Sequence, residues 1–367
     1  IENQDAEAWA LADTVRDNGS GPWVAEGDWA AGLAAWRLGD CDKAAEAFQR
    51  SAAVWTNPHL PAAAHYWASR ALIRCRFPEK SDEQLRGAAR FPETLYGMLA
   101  HEQLGRDLPE THAQPDLTEA DWRRLRDEDA VQQAVMLAEI GRRDEAADDL
   151  VWLVRTGDPD DYPALSRLAR ALGLTGAQTF MAYNAPRGEG AHPSLRYPVT
   201  FRTPVGGWRV DPALAFAHAL QESNFRESVV SPAGAIGLMQ IMPITQREYA
   251  ASINMSSGAD LKDPAVNLAF GQRTLESLNS SSFTQGKLPK IMAAYNAGPT
   301  PVSRWEYEIR DQGDPLLYME SIPYWETRGY VAIVMRNYWM YLRQADADAP
   351  SRVDLAENDW PMFPRAR

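Results

Sequence analysis

One glutamate closes a stretch that otherwise carries little polarity: residues 213–225 read ALAFAHALQESNF, with the acid at Glu222. Asp211 is a good N-cap and Pro212 suits a first turn, so the spacing predicts a helix over Asp211–Ser223. Ala213, Leu214, Phe216, Ala217, Ala219 and Leu220 leave that helix no polar face apart from His218, which is the pattern of a buried helix. Glu222 then emerges at its C-terminal end. An apolar surround and the negative end of the helix dipole both disfavour a carboxylate, and so favour a protonated acid near neutral pH. General acid catalysis of a poor leaving group needs such a proton. Taken alone, a solvated glutamate at a helix end is the simpler reading.

Three further segments carry chemistry. SPAGAIGLMQIMPITQ (Ser231–Gln246) contains Gly234 and Gly237, which permit close backbone approach, then Met239 and Gln240, a polarisable apolar contact and an amide. IMAAYNAGP (Ile291–Pro299) brings a tyrosine hydroxyl, Tyr295, and an amide, Asn296, to a helix end stopped by Gly298-Pro299. ESIPYWETRGYV (Glu320–Val331) packs Glu320, Glu326, Arg328 and aromatic residues, Tyr330 among them, into a turn and a helix start. Each has an ordinary alternative: a glycine loop with core methionines, a buried tyrosine beside a C-cap asparagine, an amphipathic helix.

Composition narrows the chemistry. The chain has 367 residues, 45% hydrophobic and 24% charged, enough for two or three domains with real cores. A net charge of −13 argues against nucleic acid and against a polybasic membrane contact. No apolar run reaches membrane-spanning length, so no transmembrane segment is expected. The chain begins IENQDAEAW, without a signal peptide pattern; a leader was either removed or never included. The six histidines form no HExxH, and neither nucleotide-binding glycine motifs nor GxSxG occur, so no metal, no cofactor and no common serine hydrolase are expected. Cys41 and Cys75 either pair or stay as free thiols.

The elements that position these residues are helical. RLGDCDKAAEAF (Arg37–Phe48) resembles EIGRRDEAADDL (Glu139–Leu150) at an offset of 102 residues, three times the 34-residue period of helix–turn–helix repeats. Gly39 aligns with Gly141, Asp42 with Asp144, Ala44 and Ala45 with Ala146 and Ala147, and Phe48 with Leu150. Leu-Gly endings at Gly105 and Gly173 mark further helix C-termini. Strand alternation is almost absent. The expected fold is all-α: a superhelical solenoid of helical hairpins with its linker over residues 1–193, an α-helical second domain over 194–345, and a tail over 346–367 that is extended or disordered. The linker is Asn184–Gly207. Helices of the second domain are expected at Asp211–Ser223, near Ile236–Ala251, and at Pro264–Leu278, Lys290–Asn296 and Glu326–Gln344. Eight of the thirteen tryptophans lie in the first half, suited to packing between helices or to a sugar-binding surface.

In order and combination, QES (Gln221–Ser223), SPAGAIGLMQIMP (Ser231–Pro243), AAYNAGP (Ala293–Pro299) and ESIPYWETRGYV resemble the soluble lytic transglycosylases of bacterial cell walls. Those have a goose-type-lysozyme-like catalytic domain, and YWASRAL and LYGMLAHEQLG look like their superhelical domain. The resemblance implies a non-hydrolytic enzyme that cleaves the β-1,4 bond between N-acetylmuramic acid and N-acetylglucosamine in peptidoglycan, forming 1,6-anhydromuramoyl products. Glu222 matches the single catalytic acid and Ser223 the substrate-contacting serine beside it. Gly237, Met239 and Gln240 match the groove loop, Tyr295 the tyrosine that hydrogen-bonds the acid, and Asn296 its polar neighbour. Glu320 matches a groove acid that contacts the muropeptide, and Tyr330 lies in the same motif. Glycan strands and muropeptides are the implied partners, with cell-wall machinery proteins beside them, in the periplasm. Leu220 departs from the family, where arginine often precedes the QES glutamine. Two competing readings are a hydrolytic lysozyme with a second carboxylate and a non-catalytic glycan-binding scaffold.

Overall fold

The computed structural model describes residues 4–19, 21–55, 57–109, 114–187, 190–199 and 202–364. These contain nineteen α-helices. The first run is α1 (Asp5–Asn18), α2 (Pro22–Leu38), α3 (Cys41–Ala53), α4 (His59–Arg74), α5 (Pro78–Ala88) and α6 (Leu95–Gln103). The next is α7 (Glu119–Leu125), α8 (Asp129–Glu139), α9 (Arg143–Thr156), α10 (Tyr162–Ala171) and α11 (Thr175–Tyr183). Then come α12 (Pro212–Ser223), α13 (Pro243–Tyr249) and α14 (Pro264–Asn279). Last are α15 (Leu288–Ala297), α16 (Pro299–Glu308), α17 (Pro315–Ser321), α18 (Trp325–Gln344) and α19 (Pro350–Ala356). Among the described residues the only β structure is isolated bridges, and no helix is long and apolar enough to cross a membrane.

The aligned repeat segments fold alike. Gly39 and Gly141 both hold left-handed backbone, φ 81° and 84°, after α2 and near the end of α8. The following amide closes each turn: Asp40 donates to the Ala35 carbonyl at 3.0 Å and Arg142 to that of Leu137 at 2.8 Å. Gly105 and Gly173 end their helices with φ 59° and 67°. Ala44, Ala146, Phe48 and Leu150 are all fully buried, which is why the two segments keep alanine at the first position and a large apolar residue at the second.

The chain divides into two compact units: Ile1–Pro109 with Lys287–Arg336 and Ala349–Met362, and Glu110–Gly286 with Asn337–Asp348 and Phe363–Arg367. The first unit is centred on aromatic packing between helices. Trp67 meets Trp36 edge-on at 5.3 Å, Phe48 at 5.8 Å and Trp29 at 6.4 Å. Arg70 lies over both Trp67 and Trp36, and its guanidinium also reaches Asp314 Oδ2 at 2.6 Å. Cys41 and Cys75 are disulfide-bonded, so pairing is the realised alternative; the bridge ties the start of α3 to the C-cap of α4. The second unit has its own core of Leu150, Leu165, Leu168, Leu174 and Met181 with their neighbours.

Three helices start on the same dipeptide. Asp211-Pro212, Asp263-Pro264 and Asp314-Pro315 open α12, α14 and α17, and each aspartate accepts one or two backbone N–H groups of the first turn. Two expectations are corrected. The stretch from Ile236 to Met242 is not helical: Ile236 bridges both Val230 and Ile241, Gly237 and Gln240 have φ 75° and 49°, and the helix begins at Pro243. The tail is neither extended nor disordered. It contains α19, Trp360 packs edge-on against Tyr318 at 5.4 Å, and the Pro361 carbonyl accepts from Leu288 N–H at 2.8 Å. The expected linker is irregular apart from a 3₁₀ turn at Pro193–Arg196; residues 188, 189, 200 and 201 lie outside the described residues.

Candidate active site

The expected site residues fall in both units. Glu222, Ser223, Gly237, Met239 and Gln240 belong to the second, and Tyr295, Asn296, Glu320 and Tyr330 to the first.

In the second unit α12 is buried as its composition requires. His218 is fully enclosed, and burial pushes its pKa down to about 3, so the ring is neutral. Asp211 caps the helix through Ala213 N–H at 2.9 Å and accepts the Tyr338 hydroxyl at 3.1 Å. Phe216 sits among Trp208, Phe225 and Tyr341 at 5.5, 6.1 and 5.7 Å. Tyr341 in turn donates to the Pro198 carbonyl at 2.8 Å. Glu222 is half-buried, one residue before the end of this fixed helix.

Ser223 is buried, and its hydroxyl donates to the Leu238 carbonyl at 2.8 Å. That bond ties the helix end to the glycine loop. The loop is also held by the fully buried amide of Asn267 on α14. Asn267 Nδ2 donates to the Ile236 and Leu261 carbonyls at 2.7 and 2.8 Å, and Oδ1 accepts Met239 N–H at 2.8 Å. One side chain thus satisfies three backbone groups that no regular element serves. Gly237 is required here: a Cβ would lie 2.4 Å from both Asn267 Nδ2 and the Leu261 carbonyl oxygen, and φ is 75°. Met239 is fully buried over Gly271, where a Cβ would meet its sulfur at 2.1 Å. Gln240 is half-buried, its amide donating to the Gly237 carbonyl at 2.9 Å.

In the first unit Tyr295 and Asn296 are half-buried in the last turn of α15. Asn296 Oδ1 accepts the Thr327 hydroxyl of α18 at 2.6 Å, and Tyr330 is buried one turn further along that helix. Glu320, in the same unit, is bonded to α6. Trp67 Nε1 donates to the Tyr96 oxygen at 3.0 Å, and the Tyr96 hydroxyl donates to Glu320 Oε1 at 2.5 Å. Burial raises the Glu320 pKa, opposed by the Tyr96 bond and by Arg328 and Arg37. Glu320, Arg37, Arg328, Asp5 and Leu33 line a cavity of about 450 Å³.

Sequence reasoning did not find Asn267, Gly271 or Tyr96. Asn267 stands 28 residues from Met239 and Tyr96 stands 224 from Glu320, so no local pattern joins them.

Residues 201–316 match the model of the transglycosylase SLT domain family. The soluble lytic murein transglycosylase of Escherichia coli is 36% identical over 166 residues, 44% of this chain and 25% of that protein. The matched stretch is thus a quarter of that relative's length. Two solved structures share the fold over nearly the whole chain. A lytic transglycosylase inactive mutant from Pseudomonas aeruginosa has TM-score 0.75 and 24% identity, covering 97% of this chain and 57% of that one. The 70 kDa soluble lytic transglycosylase of Escherichia coli has TM-score 0.74 and 22% identity, covering 98% and 59%. The all-α superhelix with a lysozyme-like domain is therefore the architecture of this chain as well.

Proposed function

We propose that the protein is a peptidoglycan lytic transglycosylase with Glu222 as its one catalytic carboxyl group. The observation that carries this is the SLT-domain match around a buried helix that bears Glu222 in its last turn and is fastened through Ser223 to the glycine loop. Glu222 gives its proton to the glycosidic oxygen as the bond to C1 of N-acetylmuramic acid breaks. The resulting carboxylate takes the proton of the C6 hydroxyl as that oxygen bonds to C1. The 1,6-anhydro ring closes, the acid regains its proton, and no water is consumed.

In this reading residues 194–345 are the catalytic domain and residues 1–193 the superhelical one. Gln240, Tyr295, Asn296, Glu320 and Tyr330 are assigned to substrate binding. Ser223, Gly237 and Met239 are assigned to shaping the loop beside the acid, since the serine hydroxyl and the methionine side chain are already committed inside the protein. Glycan strands and muropeptides are the substrates, with cell-wall machinery proteins as the implied partner class. The periplasm is the proposed location, supported by the Cys41–Cys75 disulfide, which is at home in an oxidising compartment.

Glu222→Gln tests the assignment. Purified peptidoglycan digested by the wild type is expected to release muropeptides one water lighter than the reducing forms, and the variant is expected to release none. Undiminished release by Glu222→Gln would remove the acid from its role.

A further inference from the structure

The chain leaving Glu222 is fastened to the superhelical half of the sequence. Asn224 and Phe225 follow α12 with φ of 51° and 58°, two successive non-glycine residues in left-handed backbone. Such conformations persist only where surroundings over-determine them. Phe225 is buried against Phe216, and Arg226 Nε donates back to the Ser223 carbonyl at 3.2 Å. The next two residues are gripped by one carboxylate. Asp144 Oδ1 accepts Glu227 N–H at 3.0 Å, and Oδ2 accepts Ser228 N–H at 2.7 Å and the Ser228 hydroxyl. Asp144 stands in the first turn of α9, 84 residues before Ser228.

The repeat supplies an internal control. Asp42 holds the equivalent place in α3 and is exposed, and among the described residues no such loop rests on it. An acid in the first helical turn is ordinary on dipole grounds. At Asp144 the two oxygens also collect three donors from the segment after the acid-bearing helix. The carboxyl group of Glu222 lies at a helix terminus, so its direction depends on how the chain leaves that terminus.

We propose that Asp144 is a positioning residue for Glu222, acting through the 224–228 turn it clamps. The superhelical half then contributes to the rate of the chemical step as well as to holding substrate. This rests on the reading of Glu222 as the catalytic acid. Misplacing a reacting group by about 1 Å can cost on the order of a hundredfold in rate.

The test measures kcat and KM on soluble glycan strands, thermal unfolding, and amide exchange at Glu227 and Ser228. Asp144→Ala is expected to lower kcat roughly 10- to 100-fold with KM changed less than about twofold, and to speed exchange at both amides. Asp42→Ala is expected to leave kcat within about twofold of wild type. A kcat unchanged in Asp144→Ala while both amides exchange faster would overturn the positioning role, leaving the clamp a structural contact only. If Asp144→Ala does not fold, Ser228→Ala, which deletes only the hydroxyl contact, carries the test. A fall in kcat of about threefold at an unchanged unfolding temperature is expected, and no fall overturns the proposal. A wild type that cleaves no glycan sinks the catalytic reading itself, and the proposal with it.

Discussion

The two sets of candidate site residues are held by different physics. In the second unit the glycine loop beside Glu222 is fixed by neutral groups: the Ser223 hydroxyl, the Asn267 amide and glycines that admit them closely. In the first unit Glu320 is fixed by rings and charges, Tyr96 on Trp67 with Arg37 and Arg328, and the same unit carries the Cys41–Cys75 bridge. Neutral hydrogen bonds to backbone respond little to pH, salt or redox state. A buried carboxylate and a disulfide respond to all three in different ways. The glycine loop should therefore be robust to conditions, and the Glu320 side should be tunable by them.

Replacing Asn267 by alanine should break the first half of this contrast most severely. It leaves two carbonyls and one amide of the loop unsatisfied in a buried place, at a cost of about 4 kcal/mol or more. The urea midpoint should fall sharply, and glycan cleavage should be lost well before global unfolding. Reducing the disulfide probes the other half. Closing a loop of 34 residues is worth roughly 3–4 kcal/mol by loss of denatured-state entropy. Reductant should accordingly accelerate amide exchange in α3 and α4 and leave α12 and α14 unchanged.

Tyr96→Phe is a smaller and more local change. It removes the donor to Glu320 and the acceptor of the Trp67 N–H, a loss of about 1–3 kcal/mol. Its pH dependence has a definite sign. The folded-state pKa of Glu320 is already raised, so stability declines as pH rises from the ordinary carboxylate range through that folded value. The Tyr96 bond opposes the rise. Its removal lifts the folded pKa further, and the deficit of the variant should be larger at pH 8 than at pH 4. Equal deficits at both would break the comparison.

Glu227 gives the mildest test, in the same unit as the neutral glycine loop. Burial pushes its pKa up to about 7, with Arg143 and Arg202 opposing and Asp144 and Asp263 adding to the shift. The folded state holds that proton after the unfolded chain has lost it, so wild-type stability should fall as pH rises from about 4.5 to 7. Glu227→Gln should flatten this slope, gaining on the order of 1–2 kcal/mol over wild type at pH 8 and nothing near pH 4. Thermal unfolding at the two pH values decides it.

Local features were legible in the sequence and long-range ones were not. The Asp211-Pro212 start, the apolar run and the final acid defined α12 because capping, burial and polarity all act within a few turns. Gly39 and Gly141 betrayed the repeat because left-handed backbone selects glycine. The same Asp-Pro signal stood at Asp314-Pro315, yet α17 was not read from it. The Ile236–Met242 segment carries helix-compatible residues and turns instead, because Asn267 takes up the backbone groups a helix would have paired. Asp144 on Ser228 and Tyr96 on Glu320 join residues far apart in the chain, and nothing in the neighbourhood of either residue announces its partner. Trp360 made the tail part of a core through Tyr318, Lys287 and Lys290, contacts invisible in a polar, proline-containing stretch.

In the proposed reaction one carboxyl group breaks the glycan without water. Digestion of peptidoglycan in water enriched in heavy oxygen tests it most directly, with the muropeptides weighed before any exchange at C1. Intramolecular closure by the C6 hydroxyl predicts products that carry no label and are one water short of the reducing forms. Products carrying one heavy oxygen at C1 would mean that water is the nucleophile, and would contradict the account.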